Sequence, residues 1–197
     1  RPQGTLPPGD VASSKGVWVF AEQKNGAVRS VVYELLAKAR ELADALGTEV
    51  SAVLIGHELA QATRALIARG AQTVYVVESP ELAHYQDEPY TNVLVELIRK
   101  HKPEIVLCGA TFAGRSLSPR VATTLMAGLT ADCTGLAIDP ERKILLQTRP
   151  ALGGNIMATI ISPHTRPQMA TVRHKVFAES PPDPARQGTV IREELNP

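Results

Sequence analysis

The sequence predicts an α/β fold: a Rossmann-like open sheet with a parallel core and antiparallel edge strands. Three observations carry that prediction. Short apolar, β-rich runs alternate with helix-period segments from Gly16 to Gly128, the βα alternation of a parallel sheet with right-handed crossovers. The breaks between them fall at helix-stopping residues, Gly47, Gly70 and Pro103. After Ala131 the pattern changes to short strands separated by turn residues, which reads as antiparallel additions at one sheet edge. The length of 197 residues corresponds to about one domain.

Taken in order, residues 1–15 hold three prolines and no apolar period, and read as a flexible N-terminal extension. Gly16 to Ala21 is a strand buried on both faces. Glu22 to Gly26 is polar and turn-like. Val31, Val32, Leu35, Leu36, Ala39, Leu42, Ala43 and Leu46 recur at helical spacing. Val50 to Ile55 is the second strand, Glu58 to Ala68 the second helix and Thr73 to Val77 the third strand. A polar connection, Ser79 to Pro89, leads to a helix over Asn92 to His101. Glu104 to Cys108 is the fourth strand, and Ser118-Pro119 opens or lies early in a helix reaching Met126. Strands follow at Ala131 to Ile138, Ile144 to Arg149, Ile156 to Ile161 and Met169 to Val172, with breaks at Asp139-Pro140 and Gly153-Gly154. Ala178 to Gly188 is a Pro-rich linker, and Thr189 to Leu195 is one more strand with little left to pair with locally.

Composition narrows function. With 44% hydrophobic and 21% charged residues the chain is of ordinary globular type. A net charge of +1 gives no electrostatic reason for a nucleic acid or membrane partner, and 4% aromatics leave little for base stacking. The apolar run Asn155 to Ser162 is too short to cross a bilayer. Cys108 and Cys133 lie in apolar runs without CxxC spacing, so they read as buried thiols. The five histidines show no ligand spacing, so no metal site is expected, and Gly-x-Ser-x-Gly is absent. No catalytic residue is assigned. The expected setting is intracellular and reducing.

Three segments could carry binding. Gly109 to Ser116 follows the fourth strand and opens a helix, where open sheets take ligands, and Arg115 could hold an anion bidentately. It is neither GxGxxG nor a P-loop, and a tight turn whose arginine makes an ion pair at a subunit contact explains it equally. In Gly128 to Gly135, Thr130, Asp132 and Thr134 alternate with apolar positions and are expected on one strand face. Arg115, Thr130, Asp132 and Thr134 are therefore the candidate cofactor-binding residues, or a partner edge. Arg149, Arg166 and Arg173 stand on or beside neighbouring strands, as a basic face near an anionic cofactor or as salt-bridge donors to a partner.

Five of these segments, in this order, closely resemble the alpha subunit of electron transfer flavoproteins. They are Val17 to Glu22; Gly109-Ala110-Thr111 with Gly114-Arg115; Gly128 to Gly135; Arg149-Pro150 with Gly153 to Ile156; and Arg166 to Arg173. The resemblance covers Gly16 to Phe177, which it makes the Rossmann-like N-terminal domain of an alpha subunit. It implies a heterodimer with a beta subunit and an FAD in a C-terminal alpha domain. It also implies AMP or a second FAD in the beta subunit, and electron transfer from dehydrogenases to an acceptor oxidoreductase. The family's main FAD residues lie in that C-terminal domain, so residues 178–197 are expected to be a linker and strand leading to a domain absent from this sequence. His174-Lys175 departs from the family, which usually has proline after the arginine. The alternative is an adenine-nucleotide-binding domain with its site in the loop after the fourth strand, an expectation from fold analogy alone. The expected compartment is bacterial or archaeal cytoplasm, or the mitochondrial matrix in a eukaryote.

Overall fold

The computed structural model describes residues 9–151 and 156–194. After a short helix α1 (Gly9–Ser13), β1 (Val17–Phe20) starts the sheet and is buried at all its positions. Its side chains alternate: Val17 and Val19 enter one core, Trp18 and Phe20 the other. β2 (Gln23–Lys24) and β3 (Ala27–Val28) form a minimal antiparallel hairpin through Asn25 and Gly26, both at positive φ. Helix α2 (Ser30–Leu46) lays its apolar face on the first core and stops at Gly47, whose φ of 65° a Cβ would disfavour. Then come β4 (Val50–Gly56), α3 (Ala60–Ala68), β5 (Thr73–Glu78), α4 (Asp87–His101), β6 (Ile105–Gly109) and α5 (Phe112–Leu125). Helices α2 and α3 contribute to one core, α4 and α5 to the other.

The remaining strands are β7 (Leu129–Cys133), β8 (Gly135–Ile138), β9 (Leu145–Pro150), β10 (Met157–Ile160), β11 (Gln168–Val172) and β12 (Thr189–Arg192). Seven strands form the central sheet in the order β12-β5-β4-β1-β6-β11-β7, and every pairing in it is parallel. The α/β Rossmann-like class is as the sequence predicts. The antiparallel strands take a different place from the expected edge. β8, β9 and β10 form a separate three-stranded sheet, tied to the central sheet by the Leu145 N–H to Gln168 Oε1 and Gln147 Nε2 to Met169 carbonyl bonds, each 2.9 Å.

That small sheet acts as the crossover from β7 to β11. A parallel connection needs a dozen or more residues to return to the same edge, and residues 134–167 supply them with no helix among the described residues. Consequently β11 is not an edge addition. It is inserted between β6 and β7, buried at every position. The expectation that the last strand lacks a local partner is also overturned, because β12 pairs with β5 at the far edge, Val190 opposite Val74.

Two helices begin earlier than periodicity indicates. α4 starts at Asp87, with Pro89 in its first turn, where a missing N–H costs no intrahelical bond. α5 starts at Phe112 because Thr111 caps it, so Pro119 lies inside the helix rather than at its opening. The strand expected at Ala131 to Ile138 is two strands meeting at Thr134. Of the expected N-terminal extension, residues 1–8 lie outside the described residues, as do the Gly153-Gly154-Asn155 break and the end of the chain from Leu195.

Candidate functional site

The carboxyl ends of β1 and β6 diverge at the centre of the sheet, the place where open α/β sheets receive ligands. The turn after β6 is very tight. A Cβ on Gly114 would stand 1.9 Å from the Gly109 carbonyl oxygen, so only glycine fits there. Thr111 caps α5: its Oγ1 accepts the Gly114 N–H at 3.0 Å and donates to Glu22 Oε2 at 2.5 Å. Glu22 follows β1, so this bond closes the crevice between β1 and β6. Arg29 lies 3.8 Å from the other oxygen of Glu22.

Arg115, in the first turn of α5, is held by two bonds within the chain. Its Nε donates to the Ala110 carbonyl at 3.1 Å and its Nη2 to Asp132 Oδ1 at 2.9 Å. Arg173, just past β11, approaches Asp132 Oδ2 at 3.8 Å. The structure thus joins Arg115, Asp132 and Arg173 in one half-exposed cluster. Thr130 goes elsewhere. It is buried, and its hydroxyl donates to Gln147 Oε1 of β9 at 2.5 Å, while Gln147 Nε2 donates to the Met169 carbonyl at 2.9 Å. Thr134 is half-buried at the junction of β7 and β8.

Thr130, Asp132 and Thr134 therefore do not share one strand face. A register shift between β11 and β7 at Ala170/Val172 puts an irregularity at this point, and Asp132 takes a φ of 61°. One irregular residue in a strand reverses the faces of those beyond it. Here Thr130 and Cys133, three positions apart, are both buried. Arg166 and Arg173 also part company. Arg166 pairs with Glu104 at 3.4 Å beside the start of β6 and β11, whereas Arg173 follows their opposite ends.

These residues do not form a cradle for a flavin or a nucleotide phosphate. The Arg115 guanidinium is neutralised by Asp132, the Thr130 hydroxyl is spent on Gln147, and the carboxylate of Glu22 already occupies the approach to the α5 cap. Among the described residues no cluster of three or more His, Cys, Asp or Glu could hold a metal ion. Burial pushes the Cys108 and Cys133 thiols up to about 11, which leaves them unreactive. No helix among the described residues is long and apolar enough to cross a membrane.

Two surface features escape sequence reasoning. Beside the β2–β3 hairpin lies a cavity of about 490 Å³, floored by Phe20, Ile55 and Tyr90, with Phe112 at its mouth. Phe112 is 91% exposed, and its only sequence signal is an aromatic residue inside an otherwise small and polar turn. The second feature is the apolar run around β10, where Ile156, Met157, Ile160 and Ile161 are 65%, 54%, 37% and 36% exposed. They are four of the seven large hydrophobic residues exposed among the described residues. An edge strand with such a surface is ordinarily covered by a partner.

Comparison with known proteins finds a match to the electron transfer flavoprotein domain over residues 17–197. The chain is 53% identical over 178 residues to the electron transfer flavoprotein subunit alpha of Thermoanaerobacterium thermosaccharolyticum, covering 90% of this chain and 54% of the relative. It is 50% identical over 187 residues to the subunit alpha of Megasphaera elsdenii, covering 95% and 55%. It is also 47% identical over 168 residues to the lactate dehydrogenase (NAD(+),ferredoxin) subunit LctC of Acetobacterium woodii, covering 85% and 40%. The chain spans about half the length of the curated relatives it matches. With residues 17–197 of the chain matching that domain and alpha subunits identical at about half of the aligned positions, the chain belongs to the electron transfer flavoprotein family.

Proposed function

We propose that this chain is the N-terminal part of an alpha subunit that scaffolds the heterodimer of an electron carrier, and that residues 16–177 are its docking domain. In this reading it passes electrons between dehydrogenases and an acceptor oxidoreductase without itself making or breaking bonds. The observation that carries it is the 53% identity to a subunit alpha across 90% of the chain. Some relatives are subunits of dehydrogenase or reductase systems by name, so the same scaffold serves assemblies with catalytic partners.

Two surface features support docking. The exposed apolar residues in and beside β10 sit on the outer strand of the small sheet, an apolar surface suited to a companion subunit. The Arg115–Asp132–Arg173 cluster is half-exposed and supplies directional charge at a partner edge, with Thr130 and Thr134 holding the strand behind it. The FAD is held by alpha-subunit residues outside these four, and a beta subunit holds AMP or a second FAD. Residues 178–197 link the docking domain to the flavin-bearing part. The compartment is the cytoplasm of a bacterium or archaeon.

Co-expression with a family beta subunit tests this. The expected result is a stable complex of one alpha and one beta chain, with Met157→Glu weakening association at least about tenfold. The 197-residue chain alone should carry no stoichiometric flavin absorbance. Stoichiometric flavin in the lone chain, or indifference to every candidate beta subunit, overturns the reading.

A further inference from the structure

The cavity beside the β2–β3 hairpin is unused by the docking role. Its volume, about 490 Å³, falls within the range of small-ligand pockets. It opens at the carboxyl end of β1 and β4, and its floor is formed by buried Phe20, Ile55 and Tyr90. Tyr85 forms a side wall, its ring 5.0 Å from that of Tyr90 in an edge-to-face arrangement.

The walls are fixed before any ligand arrives. Tyr90 Oη donates to the Leu82 carbonyl at 2.8 Å, and Tyr85 Oη donates to Asp87 Oδ1 at 2.6 Å, which also receives Ser116 Oγ at 2.6 Å. Gln23 locks the hairpin: its Nε2 donates to the Ile55 carbonyl at 3.1 Å, and its Oε1 accepts from the Gly26 N–H at 2.9 Å. Such a site loses little side-chain freedom on binding.

The rim has the opposite chemistry. The side chains of Lys24 and His84 line it and make no hydrogen bond or ion pair among the described residues. Arg29 joins them, and Glu22, the acid of the lining, is already held by Thr111 and Arg29. An aromatic floor with free donors at its edge selects a flat ring carrying negative charge. Nothing in the rim resembles a glycine-rich phosphate loop, so a carboxylate fits better than a phosphate. A ring seated there would cover Phe112, otherwise left 91% exposed at the mouth. We propose that this cavity is a binding site for a small planar aromatic carboxylate, held by its ring on Phe20, Tyr85, Tyr90 and Phe112 and by its carboxylate on Lys24 and His84.

Calorimetric titration of the intact protein that carries this domain, with any co-purifying subunit retained, tests the assignment. Indole-3-acetate is the probe, indole-3-acetamide its neutral counterpart and GMP the phosphate comparator. The expected result is a dissociation constant for indole-3-acetate below about 1 mM, with the acetamide weaker by roughly tenfold. Phe112→Ala and Lys24→Ala should each weaken the acid by about tenfold, while Met126→Ala, at the far end of α5, leaves it unchanged. Tighter binding of GMP, equal binding of acid and amide, or no binding overturns the proposal. So does a Phe112→Ala variant that loses its partner subunit yet binds indole-3-acetate normally. None of these failures touches the scaffold reading, which is judged by subunit association.

Discussion

The carboxylate of Glu193 meets the Nε2 of His101 at 2.8 Å, joining the residue after β12 to the last turn of α4. Lys100 Nζ reaches the second oxygen at 2.6 Å, and the Glu193 N–H donates to the Val76 carbonyl at 2.9 Å. His101 in turn lies 4.5 Å from the ring of Tyr75 on β5, the strand β12 pairs with. The last strand is thereby fastened to the domain by charge as well as by its ladder.

That fastening is acid-sensitive. The hydrogen bonds from Lys100 and His101 hold Glu193 below the ordinary carboxylate value of 4.5. A pKa lower in the folded than in the unfolded state gives stability that is present above the unfolded value and lost as pH falls through the folded one. Hydrogen exchange should therefore show β12 amides well protected at neutral pH and progressively released as pH falls below the ordinary carboxylate value of 4.5. Glu193→Gln should weaken protection at neutral pH by roughly 1 kcal/mol and flatten the acid response. Identical pH profiles for the two proteins would refute the latch.

Glu34 is a buried acid with a structural task. From α2 it accepts the N–H groups of Lys175, Val176 and Phe177 at 2.9, 3.2 and 3.4 Å, and Lys38 covers the Phe177 ring at 4.7 Å. Glu34→Ala strands three donors and should cost about 3 kcal/mol in urea unfolding, with Glu34→Gln recovering part of it. A loss below about 1 kcal/mol in the alanine variant would show that water replaces the carboxylate.

Gly114→Ala should be among the most damaging small substitutions. Its Cβ would fall 1.9 Å from the backbone oxygen of Gly109, and backbone cannot swing aside as a long side chain does. A loss of about 2–4 kcal/mol and a thermal midpoint several degrees lower are expected. An unchanged midpoint would mean the turn after β6 is looser than described.

The two thiols provide a readout of integrity. Cys108 and Cys133 are both fully buried, and burial pushes their thiols up to about 11, so iodoacetamide at neutral pH should label neither in the native protein and both in urea. Rapid native labelling of Cys133 would indicate that β7 opens away from β11.

The doubly buried strand from Val17 to Phe20 and the helical recurrence from Val31 to Leu46 were legible because each records the burial of a residue by its own element. The candidate cluster was legible only in part. Arg115 and Asp132 meet, but Thr130 turns away to Gln147, because an irregularity in β7 breaks the period-2 rule on which their grouping rests. Phe112 and the β10 surface carry no periodic signal, since an exposed apolar residue looks in sequence like any other hydrophobic residue.

By itself, the sequence determined the α/β class, the succession of the main sheet strands and their helices from β1 to α5 and the family, but not α1 or the β2–β3 hairpin, since periodicity, turn residues and spaced motifs are properties of neighbours along the chain. Tertiary structure alone decided that β11 enters between β6 and β7, that β8 to β10 form their own sheet, and that β12 closes the far edge on β5. The reason is physical: a strand's ladder partner is chosen by backbone groups and packing surfaces far away in sequence, and short apolar runs such as Met169 to Val172 suit a central or an edge position equally well.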